Sequence, residues 1–128
     1  LGVTAKGLEA ADPWRASRVR LELLGGFHLR IDGEAVHLPL GAQRLLALLA
    51  LHSAPLRRLH VAGVLWPDAT ESSAHARLRS MLWRLRHLSV ALVEAQGAAL
   101  SFVVGAGVDV QELALRVRAL ERDGSDDD

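Results

Sequence analysis

Residues 70–88 read TESSAHARLRSMLWRLRHL. At about 100° per residue, Ala74, Leu78, Met81, Leu82, Leu85 and Leu88 fall on one stripe, the signature of an amphipathic helix. The opposite face carries Ser73, Ala76, Ser80, Trp83 and His87. Arg77 and Arg84 lie on one flank, Arg79 and Arg86 on the other. From Ser72 to Val90 there is no acidic residue. A helix that merely faces water interleaves glutamates for i,i+4 pairing and solubility. Four arginines without a carboxylate suit a polyanion instead, because guanidinium groups pair with phosphates and bidentately with guanine.

The flanking segments give this helix its setting. Residues 1–17 have no period and read as a flexible tail. Then Arg20-Leu21-Glu22-Leu23 alternates, Gly25-Gly26 turns, and Phe27, Leu29 and Ile31 share one face. Asp32-Gly33 is a two-residue hairpin signal leading into a strand at 35–38, which Pro39 ends. Residues 41–52 are apolar nearly all round, as in a central buried helix. A short helix follows over 58–65, and after Trp66-Pro67 either Asp68 or Thr70 caps the arginine helix. Beyond it, 92–94 and 100–104 read as strands joined around Gln96-Gly97. Asp109 with Glu112 three on has the form of a helix start, for a helix running to about 121. Residues 123–128 read as a disordered acidic tail. Three strands, three helices, a hairpin and a helix make an α+β chain with the layout of a winged helix-turn-helix. Its expected parts are an N-terminal antiparallel sheet, a three-helix core on Leu48, Leu49, Leu65, Leu78, Leu82 and Leu85, and a C-terminal β-hairpin wing.

The charge pattern points the same way. The 128 residues hold 15 basic and 15 acidic side chains, but they are polarised along the chain. Residues 14–90 carry eleven arginines against five acids (+6), and 91–128 carry three against eight (−5). Residues 1–13 contribute −1. Such asymmetry goes with nucleic-acid binding by one part and an acidic end on another. GC-rich coding accounts for fourteen arginines to one lysine, but not for where the arginines sit.

Other classes find little support. Without cysteine there is no disulfide, thiolate ligand or thiol nucleophile. No Gly-rich phosphate loop, GxSxG or paired-carboxylate motif occurs, so an enzyme is not expected, nor a cofactor. His28 and His37 approach across a hairpin, but two imidazoles alone make a poor metal site. No apolar run is long enough for a membrane span, and no secretory signal opens the chain, so a cytoplasmic protein is expected. With its start at Leu1 and a single methionine, Met81, the chain is expected to be a fragment.

The run Leu45-Leu46-Ala47-Leu48-Leu49-Ala50-Leu51, then Leu65-Trp66-Pro67-Asp68, then Leu78-Arg79-Ser80-Met81-Leu82-Trp83-Arg84-Leu85-Arg86 resembles the Streptomyces antibiotic regulatory protein family. Leu23-Leu24-Gly25 and Asp32-Gly33 resemble that family's first strands, and the likeness spans about residues 19–113. It implies an OmpR-type winged-helix domain at 18–107 of a bacterial transcriptional activator. Such proteins bind direct repeats head to tail near a promoter and recruit RNA polymerase holoenzyme, often for secondary-metabolite genes. Residues 108–122 would then open a helical activation domain. The chain departs from the family in three places. Arg77 stands where asparagine is frequent, the segment 94–99 has no lysine, arginine or Gly-Tyr, and the chain ends before an activation domain is complete.

The expected function is therefore sequence-specific binding of double-stranded DNA in transcription regulation, with the helix at 70–88 in the major groove. Arg77, Ser80 and Arg84 are the expected base readers, with Ser73 and Ala76 near the bases. Arg79, Arg86 and His87 would hold phosphates, and Arg57 and Arg58 would clamp the backbone from the preceding helix. Trp83 either contacts DNA or supports the arginines. The alternative is a protein-interaction module whose arginine face meets an acidic partner, a regulatory domain or the chain's own 123–128 end.

Overall fold

Asp32 and Gly33 take φ of 52° and 82°, the backbone of a type I′ turn whose twist matches that of the strands it joins. Around it, β2 (His28–Ile31) and β3 (Glu34–Val36) pair antiparallel, with Leu29 opposite Val36. β1 (Val19–Glu22) pairs antiparallel with the other edge of β2, with Leu21 opposite Leu29. Alternation buries Val19, Leu21, Leu29 and Ile31 on one face of this sheet. Phe27 lies just before β2 and is half-buried, and the third strand ends at Val36, not 38. The computed structural model describes residues 18–88, 90–103 and 105–126, so the expected tail at 1–17 lies outside the described residues.

Three helices follow. α1 (Leu40–Ala50) buries Ala42, Leu45, Leu46, Leu49 and Ala50, while Leu40 and, just past the helix, Leu51 are exposed. After β4 (Leu56–Arg57), α2 (Arg58–Leu65) buries Val61 and Ala62. The Trp66 N–H donates to the Ala62 carbonyl at 3.0 Å and closes α2, and the Ala69 N–H donates to the Trp66 carbonyl at 3.2 Å. α3 (Glu71–Leu85) then opens on Thr70, whose Oγ1 accepts from the Ser73 N–H at 3.1 Å. Thr70, not Asp68, is thus the cap. α3 packs mainly against α2 and also meets α1. At the α1 contact, a Cβ on Gly41 would lie 2.6 Å from Met81 Cε, so the missing side chain lets that methionine in.

α3 stops at Leu85, three residues before the end expected from the apolar stripe. The His87 N–H donates to Arg84 and the Leu88 N–H to Leu85, at 3.2 and 3.3 Å, so the chain tightens to i−3 bonds there. Of the six expected core leucines, Leu49, Leu78 and Leu85 are buried. Leu48, Leu65 and Leu82 are half-buried and pack against that cluster.

β5 (Val93–Gln96) and β6 (Ala99–Phe102) form the second hairpin, turning at Gly97 with φ 61°. β4 pairs with β6, giving a sheet in the order β4-β6-β5. β7 (Gly107–Val108) pairs parallel with β1, extending the first sheet to β3-β2-β1-β7. α4 (Asp109–Asp126) completes an α+β architecture with four helices and two small sheets among the described residues.

Two expectations about α4 change. Glu112 does not close a capping box. Its carboxylate takes a bidentate pair from Arg20 on β1, at 2.6 and 3.2 Å, and is almost buried there. Asp109 accepts from its neighbour's N–H, Val110, and also from Leu23 and Leu24 at 2.9 and 3.0 Å. The first turn of α4 is thereby tied to the end of β1, and Gln111 adds a bond to the Ala50 carbonyl at 2.6 Å. The helix also runs to Asp126, through part of the segment expected as a disordered tail.

Candidate nucleic-acid interface

The buried side of α3 is Ala74, Leu78 and Leu85. That orientation leaves Ala76, Arg77, Arg79, Ser80, Trp83, Arg84, Arg86 and His87 exposed, with Ser73 half-buried at the edge of the same face. All nine residues expected there from helical spacing therefore share one surface. Its only acidic neighbour on the helix is Glu71, in the first turn, where a carboxylate favours the helix dipole.

The arginines of this surface have no acidic partner within the described chain. Among the described residues, no carboxylate lies within ion-pair distance of Arg57, Arg58, Arg77, Arg79, Arg84 or Arg86. The contrast within the molecule is sharp. Arg18 makes two bonds to the Asp32 carboxylate, at 2.8 and 2.9 Å. That hydrogen-bonded guanidinium holds the Asp32 carboxyl below the usual carboxylate range.

The second hairpin joins the surface by a contact that sequence spacing does not reveal. The Arg58 N–H donates to the Ala98 carbonyl at 2.8 Å, and Arg57 lies opposite Ala99 in the β4–β6 ladder. The hairpin turn, which has no basic residue of its own, thus sits beside two arginines. Two-residue strands have no period, so only the tertiary pairing shows this. Val93, Ala95 and Leu100 line a recess of about 150 Å³ with Leu82 and Leu85, rimmed by Arg58 and Arg86. Strand alternation turns Glu94 and Gln96 the other way, onto a groove of about 600 Å³ shared with Phe102, Leu115 and Arg118. The hairpin's one acid therefore faces α4 and not the arginine surface.

Trp83 and His87 form a unit on this surface. Their ring centroids are 4.2 Å apart with the planes tilted by 45°. His87 Nδ1 lies 3.0 Å from the Trp83 carbonyl oxygen, which can only accept. In that bond Nδ1 is the donor, which leaves Nε2 facing outward. Trp66, in contrast, packs partly buried against the core between α2 and α3.

Elsewhere, His28 and His37 are both exposed and share a recess of about 170 Å³ with Arg30. Among the described residues, no three histidine, aspartate or glutamate side chains converge as for a metal ion. Nor is any described helix long and apolar enough to cross a membrane. No protein-family model and no curated protein matches the chain.

Proposed function

We propose that this chain is a sequence-specific double-stranded-DNA-binding domain of winged helix-turn-helix type, acting in transcription regulation. The observation that carries the proposal is the outer face of α3 and the turn after it, with Arg77, Arg79, Arg84 and Arg86 exposed, Ser80 among them, Ser73 at the edge and no paired carboxylate among the described residues. In this reading α2 and α3 are the helix pair, α3 enters the major groove, and the β5–β6 hairpin is the wing. Arg77, Ser80 and Arg84 read bases, with Ser73 and Ala76 close by. Arg79 and Arg86 hold phosphates. Arg57 and Arg58 supply at the foot of the wing the positive charge that the wing lacks. The family resemblance adds the biology: a cytoplasmic bacterial activator at direct repeats, two copies head to tail, engaging RNA polymerase holoenzyme.

The test is selection from a random duplex library at two salt concentrations. A reproducible preferred sequence, with affinity falling steeply as salt rises, supports the proposal. Binding without any preferred sequence removes the regulatory reading. A second reading has one observation in its favour: Trp83 is 60% exposed among arginines, and tryptophan and arginine dominate protein–protein hot spots. In that case the same face meets an acidic protein, and duplex DNA shows neither preference nor tight binding.

A further inference from the structure

Trp83 stands out in this surface because it is apolar, large and 60% exposed in the middle of a cationic face. The buried stations of its helix are Ala74, Leu78 and Leu85, so most of the indole stands outside the core. Of the residues one turn before it, Ser80 is small and Arg79 is long and exposed, and Ala76, two turns before it, is small. On its other side the His87 ring lies against it, 4.2 Å between centroids, and is itself tied to the Trp83 carbonyl. The indole is therefore held in place before any ligand arrives, at low entropic cost to binding.

An indole offers a flat apolar surface and one N–H donor. In the major groove, thymine is the base that matches this pair of properties, with its 5-methyl group beside the O4 acceptor. Guanine presents two acceptors and suits the neighbouring arginines. Adenine and cytosine present amino donors to the groove, which an indole N–H cannot accept. Insertion between stacked bases is a different use of an aromatic side chain, but it costs a few kcal/mol of unstacking and is typical of minor-groove wedges.

We infer that Trp83, held by His87, is a specificity-determining residue that reads the 5-methyl group of one thymine in the target duplex. The inference rests on the DNA-binding reading of α3 and adds to it the base that the aromatic pair selects. On this account the arginines supply affinity and guanine reading, and Trp83 sets one A·T position.

The experiment starts from the duplex selected by the unmodified protein. Each thymine in turn is replaced by deoxyuridine, which removes only the methyl group. At one position the affinity should fall about fourfold, the worth of one buried methyl, and at that position Trp83→Ala should bind the thymine and uracil duplexes equally. Trp83→Phe should keep part of the discrimination. A preferred sequence in which every thymine tolerates uracil overturns this inference and leaves the DNA-binding reading standing. So does a uracil penalty of the same size in Trp83→Ala. Failure to select any preferred sequence overturns both. The uracil arm uses the unmodified protein, so the result does not hang on how a variant folds.

Discussion

Arg18 and Arg20 at the first sheet each hold a carboxylate, whereas Arg77, Arg79 and Arg84 on α3, and Arg86 just past its end, hold none among the described residues. The residue type is the same, and so is the sign of the surrounding segment. The difference lies in what the fold brings opposite each guanidinium. Beside β1 it brings Asp32 from a turn and Glu112 from the start of α4, 92 residues from Arg20. Beside α3 it brings a hairpin whose single acid faces the other way. Counting charges along the chain therefore overstates the first sheet and understates α3 as a binding surface. Arg18 and Arg20 are engaged within the fold, and the arginines of α3 face solvent without such a partner among the described residues.

That division can be broken at several points. The largest effect belongs to the inner face of α3. Leu78→Ala, at a site only 1% exposed, should lower unfolding free energy by about 2–5 kcal/mol in urea melts. Leu82→Ala should cost less, because Leu82 is half-buried. Equal losses at the two sites would mean that the helix is rotated about its axis, with Leu82 as deep in the core as Leu78. Next come the outer arginines. Arg84→Ala should weaken binding to the preferred duplex by about 1–3 kcal/mol, concentrated at one base pair. Arg86→Ala should weaken all duplexes alike and reduce the salt slope by about 0.9. Neither should shift the melting temperature, and a loss of stability in both would place these arginines with those of the sheet.

The sheet arginines should behave inversely. Glu112→Gln leaves the partly buried Arg20 facing a neutral amide and should cost about 1–2 kcal/mol of stability, with part of the charge relieved by solvent. Its DNA affinity should be unchanged in a titration at fixed salt. A drop in affinity instead would tie the α4 contact to the binding surface. The smallest effect is that of the exposed Arg18–Asp32 pair. Because the folded carboxyl lies below its unfolded range, the pair stabilises fully above that unfolded range. The contribution is lost as pH falls through the folded value. The stability gap between the unmodified protein and Arg18→Ala should therefore be small at pH 7 and narrow towards about pH 3. A gap that widens on acidification contradicts the assigned direction.

Much of the arrangement is legible in the sequence itself, and the legible parts share a cause. The Asp32-Gly33 turn, the Thr70 cap and the arc from Ser73 to His87 each depend on residues within a few positions of one another. Glu112 shows the opposite case. Its spacing from Asp109 suggests a local cap, but a nearby guanidinium on β1 competes successfully with the backbone for the same carboxylate. β4 and β7 are two residues each and carry no periodic signal, yet they join the hairpin to Arg57 and Arg58 and join α4 to the first sheet.

From the sequence alone came the order of the longer elements, the α+β class and the face of α3 that carries arginines, because helical period, turn chemistry and capping are short-range properties. The tertiary structure decided which arginines are neutralised and where the hairpin finds positive charge. Those outcomes depend on side chains up to 92 positions apart meeting within about 3 Å, and no local pattern records such a meeting.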